Sequence, residues 1–227
     1  MKREDILKKE DRGFKAILFD FDGTLARLDI DFPSMRRAIL DLIASYGVPG
    51  DGMGNLFALE MIDAGRVFII RENPAAQEHY NLQSAKLIRD FEMEGAKTGV
   101  LFEGIREMLA DLKSRGIRTA VVTRNCRDAV CTIFPDIADF CDIVVTRESA
   151  GRVKPDPEHL WVAIRNLRSA PENSVMVGDH PMDIQAGKKA GTYTVGVLTG
   201  YAESKALRDA GADVIIESAA RIAVLLP

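Results

Sequence analysis

The chain has 227 residues, of which 47% are hydrophobic and 28% are charged, and its formal net charge is -4. This length suits one domain with an insertion or two small domains. The negative net charge does not indicate the basic surface typical of a nucleic-acid-binding protein. No apolar run approaches the roughly 20 residues that span a bilayer. The charged first residues are not followed by the apolar core of a signal peptide, so we expect a cytoplasmic protein.

Residues 1–14 are highly charged and predict a frayed or helical lead-in. The apolar residues 16–19 then predict a short strand buried in a parallel sheet. Side chains alternate along a strand, so Asp20 and Asp22 fall on one face, and Gly23 allows the chain to turn sharply. Two carboxylates this close repel unless a cation lies between them or one is protonated. The stretch predicts a ligand site at a strand end, the alternative being an exposed turn.

The segment from about Phe32 to Ala96 shows helical periods and no clear strand. Pro33 predicts the start of a first helix, which ends before Gly47. A second helix is expected to follow, and Asn73 with Pro74 predicts the N-cap and first residue of a third. The apolar positions expected in the second and third helices are Leu56, Leu59, Ile62, Val67, Leu82, Leu87 and Ile88.

From Val100 onward, helices alternate with strands, which implies right-handed crossovers and a parallel sheet with helices on both faces. The fold class predicted is therefore α/β, a doubly wound parallel sheet with an inserted all-helical domain. The predicted strands are 117–122, 142–146, 174–178, 193–197 and 213–216, and the predicted helices are 103–115, 126–133, 157–168, 182–190 and two near the C-terminus. The predicted domains are 1–28 with 98–227, and 29–97.

Polar residues follow several of these strands. Thr123 closes one strand, and Asp179 closes another after an apolar run. Asp183 lies in the first turn of the next predicted helix, where the helix dipole favours a negative charge. Lys154 lies in a loop stiffened by two prolines and can neutralise a phosphate or keep a carboxylate ionised, although such a lysine can also be merely solvated. Converging carboxylates need compensating charge, and their hard oxygen atoms suit Mg²⁺.

These residues resemble a known family. The stretch Asp20–Thr24, then Thr123, then Lys154-Pro155, then Gly178-Asp179 with Asp183 are similar to the four ordered motifs of the haloacid dehalogenase superfamily. The resemblance runs from about Lys15 to Pro227 and implies a Rossmann-like core domain. The helical insertion resembles the cap domain of the phosphoglycolate phosphatase and β-phosphoglucomutase branch, and the chain between Thr123 and Lys154 is too short for the larger alternative cap.

The resemblance implies roles for the four aspartates. Asp20 would be the nucleophile that forms an aspartyl-phosphate, and Asp22 would protonate the leaving alcohol and then activate water. Mg²⁺ would be held by Asp20, the backbone carbonyl of Asp22 and Asp179, with Asp183 as a direct or water-mediated ligand. Dehalogenases and phosphonate-cleaving members lack the second aspartate, so Asp22 favours phosphoryl transfer.

Thr123 and Lys154 would bind the phosphoryl oxygens. The chain departs from the family pattern at Arg124, where asparagine is frequent, and at His180, where a small hydroxyl residue is common. Arg124 either joins phosphate binding or faces solvent, and His180 either reaches the substrate or is a loop residue beside the site. We expect His159, in a predicted helix, to be structural or solvated.

Arginines near the first motif and in the insertion are candidates for substrate specificity. Arg27 follows the first motif, and Arg36 and Arg37 lie in the first helix of the insertion. Arginine binds carboxylate or phosphate with two parallel hydrogen bonds, so an acid resembling 2-phosphoglycolate is one option, and a solvated helix face is the other. The odd number of cysteines, Cys126, Cys131 and Cys141, with no Cys-x-x-Cys pair, predicts free thiols.

The sequence therefore predicts a Mg²⁺-dependent phosphatase acting on a small phosphate monoester, as a monomer or homodimer. A phosphomutase of the same architecture is the nearest alternative, in which the aspartyl-phosphate passes to a second sugar hydroxyl. A non-catalytic phosphate-binding domain is a third, but such a protein should have lost one of Asp20, Asp22, Lys154 or Asp179, and all four are present.

Overall fold

A computed structural model describes residues 13–226, so the lead-in predicted over residues 1–14 lies almost wholly outside it. Within the described range, no helix is both long and apolar enough to cross a bilayer. The chain forms two compact units: one runs to Leu28 and resumes at Gly99, and the other is Asp29–Thr98. Their assignment as core and cap domains stays a prediction.

The first unit contains a six-stranded parallel sheet, which confirms the predicted α/β fold. The strands of the described chain are β1 Ala16–Phe19, β2 Ala26–Arg27, β3 Val100–Leu101, β4 Arg118–Val122, β5 Ile143–Val145, β6 Ser174–Gly178, β7 Tyr193–Val197 and β8 Val214–Ile216. The order in the large sheet is β5-β4-β1-β6-β7-β8. Strands β2 and β3 form a separate antiparallel pair, which the sequence did not predict because two residues carry no periodicity.

The α-helices of the described chain follow the expected order, apart from the short helix Ile137–Phe140, which the sequence did not predict. They are α1 Phe32–Ser45, α2 Ala58–Glu72, α3 Gln77–Ala96, α4 Ile105–Ser114, α5 Arg127–Ile133, α6 Ile137–Phe140, α7 Glu158–Asn166, α8 Pro181–Ala190 and α9 Ser204–Asp209. The predicted final helix is instead a 3₁₀ helix, Ala219–Leu225, in which Ser218 caps the backbone N–H of Ala220. All three cysteines are free thiols, as predicted.

Strand β1 is buried along its whole length because it lies between β4 and β6. Its alternate side chains, Ala16 and Leu18, join a core cluster on one face of the sheet with Leu160 and Ile164 of α7 and Ala186 of α8. This packing fixes α7 and α8 against the strands, and the loops that precede both helices carry predicted site residues.

The second unit is all-helical, as predicted. Its buried positions recur every four residues: Met35, Ile39 and Ile43 on α1, Met61, Gly65 and Ile69 on α2, and Tyr80, Ser84, Ile88 and Glu92 on α3. Two expected apolar positions are instead exposed, Val67 at 68% and Leu82 at 67%. Each lies two residues from a buried position, and about 100° of helical turn per residue places it on the opposite side.

The start of the third helix also differs from the expectation. Asn73 makes no capping hydrogen bond through its side chain. Its backbone carbonyl accepts from the N–H of Ala76 at 3.0 Å, and a 3₁₀ turn over Pro74–Ala76 leads into α3 at Gln77. The Asn-Pro pair therefore correctly predicts where the second and third helices are connected. The hydrogen bond at this start is made by the backbone carbonyl of Asn73 and not by its side chain.

Candidate active site

The carboxyl ends of the central strands bring the predicted motifs together. Asp20 follows β1, and its backbone N–H continues the ladder by donating to the carbonyl of Val177 at 2.9 Å. Thr123 follows β4 and donates likewise to the carbonyl of Val145 at 2.9 Å. Since β1 lies between β4 and β6 in parallel register, the side chains that follow all three strands meet at one edge.

Lys154 lies at the centre of this site. Its Nζ is 2.6 Å from Oδ1 of Asp20 and 2.7 Å from Oδ1 of Asp183, and the side chain is only 2% exposed. Burial opposes the charge on the lysine, but Asp183 and Asp20 hold its pKa above the ordinary value. A buried ammonium group therefore joins residues that lie far apart in the sequence.

Asp179 is held on several sides. Its Oδ1 accepts from the Thr24 hydroxyl at 3.3 Å, and its Oδ2 accepts from the backbone N–H of Tyr201 at 3.0 Å. Gly23 and Gly200 approach so closely that a Cβ atom at either position would overlap the carboxylate. Gly23 also has a φ of 81°, in the left-handed region that favours glycine. The carboxylate therefore has little freedom to move.

Asp20, Asp179 and Asp183 each offer a carboxylate oxygen, and these three atoms lie within 4.8 Å of one another. Burial raises the pKa of Asp20 to about 7 against the attraction of Lys154, and Asp183 and Asp179 raise it further. Burial and Asp183 also raise the pKa of Asp179 to about 7. The three carboxylates carry more negative charge than the single lysine can balance. Their hard oxygen atoms suit a divalent cation such as Mg²⁺.

The carboxylate of Asp22 is oriented separately. Its Oδ1 accepts from the backbone N–H of Leu28 at 2.9 Å, and the side chain is half-buried. It is not one of the three aspartates whose oxygen atoms cluster. This position is compatible with proton transfer by the side chain, the role expected for Asp22.

The two residues that depart from the family pattern are both half-buried. The guanidinium of Arg124 donates to the carbonyl of Lys154 at 3.0 Å and lies 2.7 Å from the sulfur of Met182. His180 caps α8. Its ring Nδ1 accepts from the backbone N–H of Met182 at 3.2 Å, and its backbone N–H donates to Oδ2 of Asp183 at 3.0 Å. Burial lowers the pKa of His180. Contacts of both residues with substrate stay predictions.

The arginines considered for specificity have different surroundings. Arg27 is exposed on β2. Arg36 donates to the backbone carbonyls of Leu56 at 2.6 Å, Gly54 at 2.9 Å and Met53, all in the connection between α1 and α2. These bonds hold the connection against α1, and a role of Arg36 in specificity stays a prediction.

We expect Arg36→Ala to lower the free energy of unfolding by about 2 kcal/mol, because it leaves three carbonyls without the guanidinium. Arg37→Ala is the matched control, since Arg37 is exposed and bonds only locally, to Ser34 at 2.7 Å. Urea unfolding of both variants measures the difference. Equal stability of the two variants would contradict the structural role of Arg36.

Sequence reasoning missed several residues that support the site. The Thr199 hydroxyl donates to the carbonyl of Gly23 at 2.7 Å, and Thr24 and Tyr201 hold Asp179 as described above. His159 is fully buried, with its Nδ1 3.4 Å from the backbone N of Lys154. Only the position of Thr24 inside the first motif could have signalled a role from the sequence. The other contacts depend on backbone atoms that adjacent elements supply.

Comparison with known proteins agrees with this geometry. The model of the haloacid dehalogenase-like hydrolase family matches residues 17–197. The chain is 29% identical to the N-acetylmuramic acid 6-phosphate phosphatase of Pseudomonas putida, covering 89% of this chain and 92% of that protein. It is 26% identical to a phosphoglycolate phosphatase of Nitrosococcus oceani, covering 92% and 95%. The structure of CbbY from Rhodobacter sphaeroides in complex with phosphate is similar, with a TM-score of 0.60 and 25% identity over 92% of this chain and 96% of that one.

The two relatives compared by sequence are both phosphatases, which confirms the predicted enzyme class, a phosphoric monoester hydrolase. The family match covers all four motifs, from the strand before Asp20 to the strand after Asp183. The chain therefore belongs to the haloacid dehalogenase-like hydrolase family.

Proposed function

We propose that this protein is a Mg²⁺-dependent phosphatase that hydrolyses a small phosphate monoester through an aspartyl-phosphate on Asp20. The observation that carries the proposal is the buried amine of Lys154 between Asp20 and Asp183, with Asp179 in the same cluster. The relatives named above support a phosphorylated small acid as substrate, since one is a phosphatase of N-acetylmuramic acid 6-phosphate and the other of phosphoglycolate.

In the first half of the reaction, a carboxylate oxygen of Asp20 attacks phosphorus. The bond from Asp20 to phosphorus forms as the bond from phosphorus to the alcohol oxygen breaks, and Asp22 gives its proton to that oxygen. Lys154 orients Asp20 through the contact at 2.6 Å and favours its ionised, nucleophilic form.

In the second half, the carboxylate of Asp22 takes a proton from water, and the water oxygen attacks the same phosphorus. The bond between phosphorus and Asp20 breaks, which releases inorganic phosphate and restores both aspartates. Leu28 orients Asp22 for both proton transfers through the backbone N–H at 2.9 Å. Thr123, Arg124 and Lys154 are proposed to bind the phosphoryl oxygens and stabilise the charge that develops on them.

The cation would be held by Asp20, Asp179, the backbone carbonyl of Asp22 and, directly or through water, Asp183. When bound, Mg²⁺ would neutralise the carboxylates and draw electron density from the phosphoryl group. Tyr201 and Thr24 fix Asp179 in place. The precise fit of this carboxylate between two glycines gives a test of its role.

We expect Gly200→Ala to raise the Mg²⁺ concentration needed for half-maximal activity about tenfold, because the new methyl group displaces the carboxylate of Asp179. Gly50→Ala is the control, since no atom lies within 4 Å of the added Cβ there. Magnesium titrations of both variants measure the effect. An unchanged magnesium requirement in Gly200→Ala would contradict the proposed role of Asp179.

The function is tested by a screen of small phosphate esters, including phosphoglycolate, N-acetylmuramic acid 6-phosphate and hexose phosphates, with and without a chelator. We expect release of inorganic phosphate that depends on Mg²⁺. Equal activity after chelation would overturn the metal requirement. Phosphorus NMR of the products separates hydrolysis from mutase activity, because an isomerised sugar phosphate without free phosphate would favour the mutase.

A further inference from the structure

His159 is a fully buried histidine that the proposed mechanism does not use. It lies in the first turn of α7, five residues after Lys154. Its Nδ1 is 3.4 Å from the backbone N of Lys154, and its Nε2 is 3.4 Å from the carbonyl of Thr146, at the end of β5. The imidazole thus joins the Lys154 loop to the sheet.

These two partners determine the tautomer of the ring. The backbone N–H of Lys154 can only donate, so Nδ1 must accept, and the carbonyl of Thr146 can only accept, so Nε2 must carry the proton. Burial and the nearby charge of Lys154 lower the pKa of His159 to about 3, so the ring stays neutral. A protonated ring would place a second donor against the N–H of Lys154.

The peptide groups of Lys154 are held on both sides. His159 accepts from its backbone N–H, and the guanidinium of Arg124 donates to its backbone carbonyl at 3.0 Å. The amine of the same residue reaches Asp20 and Asp183. The position of the amine therefore depends on a backbone segment that His159 helps to fix.

We propose that His159 is a positioning residue, which fixes the backbone of Lys154 so that the amine meets both Asp20 and Asp183. This inference rests on the proposed function of Lys154 in phosphoryl transfer. Misplacement of such a group by about 1 Å can cost roughly 100-fold in rate, and loss of an outer partner typically costs about 10- to 100-fold. The effect should fall on kcat, because Lys154 is proposed to act on the transition state.

The first test compares two variants. His159→Leu removes both hydrogen bonds, whereas His159→Asn places a carbonyl oxygen near the position of Nδ1 and keeps an acceptor for the N–H of Lys154. We expect kcat to fall about 10- to 100-fold in His159→Leu with KM within about threefold of wild type, and most of kcat to return in His159→Asn. Leu207→Val is the control, since Leu207 is fully buried in α9 and lies outside the proposed machinery.

We expect Leu207→Val to lower Tm without changing kcat, which separates a loss of stability from a loss of positioning. The proposal is overturned if His159→Leu keeps the kcat of wild type, or if His159→Asn loses as much activity as His159→Leu. It is also overturned if the folded His159→Leu protein changes only in KM.

A second measurement does not depend on turnover. Nitrogen-15 NMR of the wild-type protein should show His159 as the neutral tautomer with the proton on Nε2 from pH 5 to 9, and the amide hydrogen of Lys154 should exchange at least tenfold faster in His159→Leu than in wild type. A proton on Nδ1, or unchanged exchange, overturns the positioning role. If wild type hydrolyses no phosphate ester, the proposed function fails, and these spectra still decide whether His159 holds Lys154.

Discussion

Asp20→Asn is expected to lower kcat about 1,000-fold or more and yet to raise the Tm of the metal-free protein at pH 8. The loss of activity follows because an amide cannot replace the attacking carboxylate. The gain in stability follows because the substitution removes one of several buried negative charges that repel one another, while Lys154 keeps Asp183 as a partner.

The pH dependence of stability follows from the same residues. The pKa values of Asp20 and Asp179 are raised from 3.8 to about 7, first by burial and then by the neighbouring carboxylates. The folded protein thus prefers the protonated forms of both aspartates. Their contribution to the free energy of unfolding is fully present below about pH 4 and is lost as the pH rises through about 7. Without metal, wild-type Tm should fall between pH 5 and pH 8.

Thermal unfolding in EDTA at both pH values measures these effects. We expect a smaller fall in Tm for Asp20→Asn than for wild type, and recovery of wild-type Tm at pH 8 when Mg²⁺ is added, because binding stabilises the folded state. Asp90→Asn is the control, as Asp90 forms an exposed ion pair with Lys86. A lower Tm for Asp20→Asn than for wild type at pH 8 would show that the carboxylates do not repel as described.

Lys154→Met is expected to lower both kcat and stability, in contrast to Asp20→Asn. Removing the amine leaves Asp20 and Asp183 buried without their cation, and breaking a buried ion pair from one side typically costs about 3–5 kcal/mol. We expect kcat to fall about 100-fold or more, because the phosphoryl oxygens and the nucleophile both lose a positive partner. Urea unfolding in EDTA at pH 8 and steady-state kinetics measure the two effects.

Lys205→Met is the control for Lys154→Met, because Lys205 pairs with Asp209 at the surface, where such pairs are worth about 0–1 kcal/mol. The double variant Asp20→Asn with Lys154→Met provides a sharper test. Since the two side chains interact directly, we expect their effects on stability to be non-additive, with Asp20→Asn recovering part of what Lys154→Met loses. Simple additivity would contradict a direct interaction between these groups.

The central sheet could be predicted from the sequence because its strands are short apolar runs that end in turn or polar residues. The predicted bounds of 174–178 and 193–197 match β6 and β7. β4 and β8 each begin one residue later than predicted, and β5 is one residue shorter at both ends. The sequence also predicted that Asp20, Asp22, Asp179 and Asp183 converge, since parallel strands expose their carboxyl ends at one edge. Carboxylate oxygen atoms of Asp20, Asp179 and Asp183 do lie within 4.8 Å of one another, whereas Asp22 is not part of that cluster.

The rest depends on contacts that leave no sequence pattern. The helical periodicity of the insertion was correct, yet Val67 and Leu82 are exposed, because apolar residues do not by themselves show which side of a helix is buried. Arg36 could not be assigned its three carbonyl partners, since these depend on the path of a connection. In the sequence, His159 is an isolated histidine in a predicted helix. Its structural role depends on contacts with Thr146 and the backbone of Lys154, which the sequence does not show.

The burial of Lys154 has a practical consequence for chemical modification. Reagents that acylate or methylate amines require an accessible and deprotonated nitrogen, and this amine is 2% exposed with a raised pKa. Surface lysines such as Lys86 and Lys205, with side chains 76% and 78% exposed, should react first. Immobilisation through surface amines, or reductive methylation to promote crystallisation, should therefore leave the Lys154 amine of the folded protein unmodified.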